Sequence, residues 1–270
     1  MPNKVAIITG ASKGIGRQTA LAFAAADYHV VLIATNLEAL QDLETEIRES
    51  YNLPCLICCG DLSDETFVTS ISVLVVKKFG RIDVLVNNAA WRTIETMRTI
   101  SLENWEKTVR ICLTAPAFLA RSCAVVMEEQ NIAGTIINIS SVMSQRVAGS
   151  SPAYIACKGA LESLTRELAV TYGRSGIRVL CVRPGFIDTD MSNDYTTENG
   201  DNISRLLAKD LIDNIPAHRP GTPDDIARTM VWLSSAEASY ISGCEITIDG
   251  GLSSNFNSYS IKKLQFPKEY

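Results

Sequence analysis

Short apolar, β-branched runs and amphipathic stretches alternate along nearly the whole chain. The apolar runs occupy residues 5–9, 29–34, 55–59, 84–87, 135–140, 178–183 and 245–249. Between them, apolar positions recur at helical spacing over residues 19–26, 37–50, 64–79, 104–130, 153–172 and 223–233. Strands that are apolar at consecutive positions are buried on both faces, and an intervening helix supplies the crossover that parallel pairing needs. The pattern predicts a doubly wound α/β fold: a seven-stranded parallel sheet with helices on both faces. No internal repeat, low-complexity segment or linker interrupts it, so residues 1–270 are expected to form a single domain. The rhythm breaks over residues 190–216, which are polar and rich in Asn, Asp and Thr around an amphipathic piece near residues 203–212. That segment follows the sixth strand's carboxyl end, where open α/β sheets bind ligands, and is expected to be a substrate lid.

The first strand feeds straight into Gly10-Ala11-Ser12-Lys13-Gly14-Ile15-Gly16 and then into a helix. Glycines at 10, 14 and 16 remove side chains where backbone must bend and approach a ligand, and the amides opening the helix point at an anion. A pyrophosphate suits such a turn. The spacing is G-x-x-x-G-x-G, not the general G-x-G-x-x-G dinucleotide fingerprint. Further along, Tyr154 and Lys158 stand four residues apart on one helix face, thirteen positions after Ser141. A unit charge ~4 Å away at an effective dielectric of ~20 favours an ionised phenol by roughly 4 kcal/mol, which makes such a tyrosine a usable proton donor and acceptor.

In order and spacing these segments resemble the short-chain dehydrogenase/reductase family, from Lys4 to Gly251. The matching pieces are the turn from Thr9 to Gly16, Asp61, Asn87-Asn88-Ala89, Ser141, Tyr154 with Lys158, Pro184-Gly185-Phe186-Ile187-Asp188-Thr189, the segment 221–227 and Ile248-Asp249-Gly250-Gly251. The resemblance implies a single-domain Rossmann fold and an oxidoreductase that moves a hydride between a nicotinamide cofactor and a carbonyl or alcohol substrate. Catalysis would fall to Tyr154 as general acid and base, Lys158 as its electrostatic activator and ribose ligand, and Ser141 as second donor to the substrate oxygen. Cofactor contacts would come from Gly10, Ser12, Lys13, Gly14, Ile15 and Gly16, from Asp61 and the Leu62 amide at the adenine, and from the Asn87 backbone on the adenosine side. Pro184, Gly185, Ile187 and Thr189 would lie along the nicotinamide. As an isolated acid, Asp61 is equally suited to capping the helix that begins near Asp64.

The second strand ends in Ala34-Thr35-Asn36, without the acid that binds ribose hydroxyls in NAD enzymes of this architecture. Thr35 and Asn36 can donate hydrogen bonds and Lys13 supplies a nearby cation, so NADP(H) is expected over NAD(H). Segments 34–36 and 186–191 look like the 3-oxoacyl-[acyl-carrier-protein] reductase branch. Two positions depart from the family. Ala90 replaces the last glycine of N-N-A-G, and Cys112 replaces the asparagine that helps hold a proton-relay water, partly through a backbone carbonyl that cysteine retains. The rival expectation is a catalytically weak NADP-binding sensor or assembly subunit. Trp91, Arg92, Met143, Arg146 and the lid are expected pocket walls.

A net charge of −5 and the lack of a dense Lys/Arg block speak against nucleic acid as a partner. Eight cysteines with only two histidines and no second C-x-x-C favour reduced, buried structural thiols over a metal site, as expected in a cytosol. The first residues lead into a strand without a signal pattern, and no run of ~18 apolar residues suggests a membrane span, so a cytoplasmic protein is expected. Family members are commonly homotetramers, so a homotetramer or homodimer is expected. The tail 252–270 has two open fates, crossing to a neighbouring subunit or remaining loose.

Overall fold

The computed structural model describes residues 3–197 and 199–270; the first two residues of the expected domain and position 198 of the expected lid lie outside them. Seven strands form one parallel sheet: β1 (Val5–Thr9), β2 (His29–Ala34), β3 (Cys55–Cys59), β4 (Val84–Asn87), β5 (Thr135–Ile139), β6 (Arg178–Pro184) and β7 (Glu245–Ile248). Their order is β3-β2-β1-β4-β5-β6-β7, so the chain winds outward from β1 in one direction and then from β4 in the other. Pairing is in register from Val5 with His29 on β2 and from Ala6 with Val84 on β4.

Period-two alternation divides the core. Ala6, Ile8, Val30 and Leu32 face one apolar layer; Val5, Ile7, Val31 and Ile33 face the other. The first layer is covered by α1 (Gly14–Ala25), α2 (Leu37–Tyr51) and α8 (Pro223–Leu233), with Phe23, Leu40, Ile47 and Met230 fully buried. The second is covered by α3 (Glu65–Phe79), α5 (Ala115–Glu129) and α6 (Pro152–Tyr172). Side chains cap these helices: Asn36 accepts from the Ala39 amide at 3.0 Å and Asp64 from the Thr66 amide at 2.8 Å.

The expected helix over residues 104–130 is broken. It runs as α4 (Leu102–Val109), a wide π turn over Arg110–Thr114, and α5. The Ala115 amide donates to the Arg110 carbonyl, one residue beyond the α-helical partner, and Pro116 has no N–H to continue the ladder. By length and composition Leu102–Glu129 suits a membrane span, yet Leu119, Ala120, Cys123, Ala124 and Met127 are fully buried against the sheet and its helices. It is a core helix.

Segment 190–216 carries a short turn at Asp190–Ser192, a bridge from Thr196 to Asn202, and α7 (Ser204–Asn214). The tail folds back on this segment as α9 (Tyr259–Gln265). The Ser260 hydroxyl donates to Asp213 at 2.5 Å, and Asn255 donates to the Asn214 carbonyl at 2.8 Å. Of the two fates expected for the tail, a loose one does not describe α9, which packs on the chain's own α7.

Candidate active site

A cleft of about 980 Å³ opens at the carboxyl ends of the strands, where the winding reverses between β1 and β4. The turn after β1 floors one end. Gly10 takes φ +68°, and a Cβ there would stand 2.9 Å from the Ala89 Cα. At Gly16 a Cβ would overlap the Gly10 carbonyl. These two glycines let the turn close on the end of β4. Gly10, Ser12, Lys13, Gly14 and Ile15 then line the cleft, while Gly16 packs behind them. Among the described residues no side chain caps the first amides of α1, so those donors suit an anion.

Thr35, Asp61 and Leu62 line the same end. Of the two roles open to Asp61, capping α3 belongs to Asp64; Asp61 Oδ1 instead accepts from the Ser63 amide at 2.8 Å. Pro184, Gly185, Ile187 and Thr189 continue the wall.

Gly16, Asn36 and the Asn87 side chain stand outside the cleft lining, while Lys13 lies in it with an acid beside it. Asn36 stands outside the cleft lining, its side-chain oxygen held by the cap on α2. Asn87 follows β4's alternation to the face of Leu85, where its side-chain nitrogen donates to Asn138 at 2.9 Å and to the Pro116 carbonyl at 3.2 Å. Its neighbours Asn88, Ala89 and Ala90 line the cleft instead. Lys13 lines the cleft, but its ammonium lies 3.2 Å from the Asp190 carboxylate, so its charge is met by the expected lid.

The structure brings Ser141, Tyr154 and Lys158 into one wall. Ser141 follows β5 and accepts from the Met143 amide at 3.1 Å, which orients its hydroxyl oxygen. Tyr154 opens α6 and is 8% exposed; Lys158, one turn later, is 2% exposed. The Lys158 ammonium donates to the Ile139 carbonyl at 2.6 Å and lies 5.3 Å from the Tyr154 ring centre. No acid pairs with Lys158 among the described residues.

Glu162, one further turn along α6, anchors the wall from behind. Its carboxylate accepts from Ser140 and Ser144 hydroxyls at 2.7 Å each and from Arg183 at 2.8 and 2.9 Å. Burial acts to raise its pKa, but these donors outweigh burial and hold the carboxyl below the ordinary carboxylate range. The spacing of residue 162 from 158 was the available signal, since both occupy one face of the helix.

Cys112 is fully buried in the π turn beside Tyr154, Cys157, Ala90 and Trp91. Its sulfur donates to the Trp91 carbonyl at 3.3 Å and accepts from the Trp91 amide at 3.4 Å. Burial pushes the Cys157 thiol up to about 12, so it stays protonated at neutral pH. All eight cysteines are unpaired, and Cys55, Cys58, Cys112, Cys123, Cys157 and Cys181 are buried.

Segment 190–216 covers the opposite rim through Met191, Tyr195, Ile203, Leu207 and Leu211. Arg92, after β4, donates to the Met191 carbonyl at 2.6 Å and to Asp194 at 2.8 Å, and lies 5.0 Å from the Tyr195 ring centre.

Residues 10–253 match a family model described as "Enoyl-(Acyl carrier protein) reductase". A short chain dehydrogenase/reductase, astE, of Aspergillus oryzae is 34% identical over 254 residues, 94% of this chain and 96% of the relative. Glucose 1-dehydrogenase 2 of Bacillus subtilis is 32% identical over 93% of this chain and 95% of its own. Among solved structures, the L-sorbose reductase of Gluconobacter frateurii, complexed with NADPH and L-sorbose, superposes with a TM-score of 0.87 at 29% identity, covering 95% of this chain and 98% of that one.

Proposed function

The chain belongs to the short-chain dehydrogenase/reductase family of oxidoreductases, and we propose that it interconverts a carbonyl and an alcohol with NADP(H), using Tyr154 as the proton donor and acceptor. The carrying observation is the buried Lys158 ammonium, 5.3 Å from the centre of the Tyr154 ring in the wall that also holds Ser141. The fold binds a nicotinamide cofactor, and the cleft fits one. The closed glycine turn and free α1 amides suit the pyrophosphate; Asp61 and Leu62 suit the adenine; Ile187 and Thr189 suit the carboxamide end. When bound, the nicotinamide supplies or accepts the hydride. In reduction Tyr154 gives its proton to the substrate oxygen while Ser141 donates a second hydrogen bond, and Lys158 stabilises the phenolate left behind. In oxidation the same groups run in reverse.

NADP(H) is favoured over NAD(H) by the missing acid at the end of β2 and by Thr35 lining the adenosine end. Lys13 adds a cation beside the turn, and its exposed pair with Asp190 is weak enough for a phosphate to replace. Segment 190–216 is the substrate lid, and the 3-oxoacyl reductase branch is one substrate family within this reading. Purified protein should oxidise NADPH with a panel of ketones, 3-oxo acids and 3-oxoacyl thioesters. Tyr154→Phe should lower turnover by about 10² to 10⁴ while cofactor binding, followed by calorimetry, persists. Intact turnover in that variant rejects the assignment of Tyr154. Cofactor binding without turnover in wild-type protein favours a sensor.

A further inference from the structure

Arg92 has a donor that the lid contacts do not use. Its side chain is 4% exposed, and Nη2 serves both Met191 and Asp194. Nη1 is one of only two buried side-chain polar atoms among the described residues that lack a hydrogen-bond partner, and Arg92 lines the cleft. A guanidinium nitrogen held out of water without an acceptor is costly, and the cost is recovered when a ligand oxygen reaches it. The surroundings define that ligand. Lys107, over the Trp91 ring at 4.7 Å, and Arg146 line the same end of the cleft. Two carboxylates stand against these cations, Asp190 at 3.2 Å from Lys13 and Asp194 at 2.8 Å from Arg92 itself, which leaves Lys107 and Arg146 without an ion pair among the described residues. The cleft is thus locally positive in a chain of net charge −5. Phe186, Ile203, Leu207 and Leu211 give the remaining wall an apolar character.

We propose that Arg92 determines substrate specificity by binding a carboxylate, so that the substrate is an oxo acid or hydroxy acid with an apolar body, its carboxylate on Arg92 and its carbonyl at Tyr154. This rests on the oxidoreductase reading for the position of the reacting carbon. Nη1 is covered with the lid in this position, so the carboxylate reaches it when the lid is displaced and supplies the acceptor that Nη1 lacks here. The Met191 carbonyl holds Nη2 at 2.6 Å independently of Asp194, so Nη2 stays anchored without the aspartate and Nη1 is left without a partner.

The test compares each 3-oxo acid with its methyl ester. Wild-type protein should favour the acid by about 10- to 100-fold in kcat/KM, the range of a charge-assisted hydrogen bond. Arg92→Gln should bring that ratio close to one, through a raised KM for the acid. Asp194→Asn, which loosens the same lid contact without removing Nη1, should keep the preference. Calorimetric titration of the NADP complex with hexanoate and with methyl hexanoate reads binding without turnover, and only hexanoate should bind in an Arg92-dependent manner. Turnover of esters or thioesters at least equal to that of the acids overturns the inference and leaves the reductase reading intact. Arg92-dependent binding of hexanoate without turnover of any carbonyl does the opposite. Asp194→Asn losing the preference as fully as Arg92→Gln assigns the effect to lid closure and also overturns it.

Discussion

Replacing Glu162 by Gln keeps the side chain's shape and removes its charge. The two partners, Glu162 and Arg183, are each 9% exposed, so the change leaves the guanidinium buried without a counter-charge and sets an amide N–H against its donors. Breaking a buried pair in this way costs about 3 to 5 kcal/mol. With a urea slope of roughly 3 kcal/mol per M, the unfolding midpoint should fall by about 1 to 1.7 M. Ser140 and Ser144 flank Ser141 and share Oε1 with Arg183, so an uncharged amide oxygen holds that wall more weakly and kcat should fall as well. The pH dependence gives a second readout. A carboxyl whose folded pKa is depressed contributes stability that is complete above its unfolded value, about 4.3, and is lost as pH falls through the folded value. The stability gap between wild type and Glu162→Gln should therefore be full at pH 7 and should close in acid below about pH 4. Replacing both partners by apolar residues should restore much of the loss, because the pair's own desolvation then disappears. A midpoint shift below about 0.3 M for Glu162→Gln, or a gap independent of pH, refutes the reasoning.

Thr35→Asp places a carboxylate at the end of β2, where it opposes a 2′-phosphate; kcat/KM for NADPH should fall more than tenfold while NADH is affected much less. Equal losses with both cofactors count against the NADP(H) preference. Gly16→Ala drives a methyl group into the Gly10 carbonyl, so the turn cannot close on β4 and calorimetry should show cofactor binding lost. Wild-type affinity in that variant contradicts the role of the turn.

Much of this architecture is written in local pattern. Val5, Ala6, Ile7 and Ile8 are all fully buried, so an uninterrupted apolar run reads correctly as a two-sided parallel strand. Ser141, Tyr154 and Lys158 share a wall because two of them lie one turn apart on α6 and the third ends the neighbouring strand region, a placement visible in spacing. The break at Arg110–Thr114 is hidden, because apolar periodicity continues through it and only Pro116 signals the change in ladder. The alternation of β4 reports the Asn87 side chain, which takes the buried face shared with Leu85, whereas the contact implied by the resemblance there is a backbone one. Lys13 meeting Asp190, and Arg92 meeting Asp194, join residues about a hundred or more positions apart. No local rule reports such pairs. The seven-residue α9 is too short and polar to show a helical period, and its position comes from contacts with α7.

The cysteine at 112 looks damaging only if the side chain is the working part of that position. In this fold the sulfur is engaged with both backbone groups of Trp91 and takes no visible part in the cleft. The carbonyls are a different matter. The Ala115 amide already serves Arg110, and Pro116 offers none, so the Ile111 carbonyl has no ladder donor, and Cys112 and Leu113 are left with the amide of residue 117 between them. At least one carbonyl in the turn is therefore left without its helix donor, beside the cluster that holds Tyr154. A carbonyl freed in that way can hold a relay water whatever side chain it carries. The proline, not the side chain at position 112, is then the residue that keeps the acceptor free.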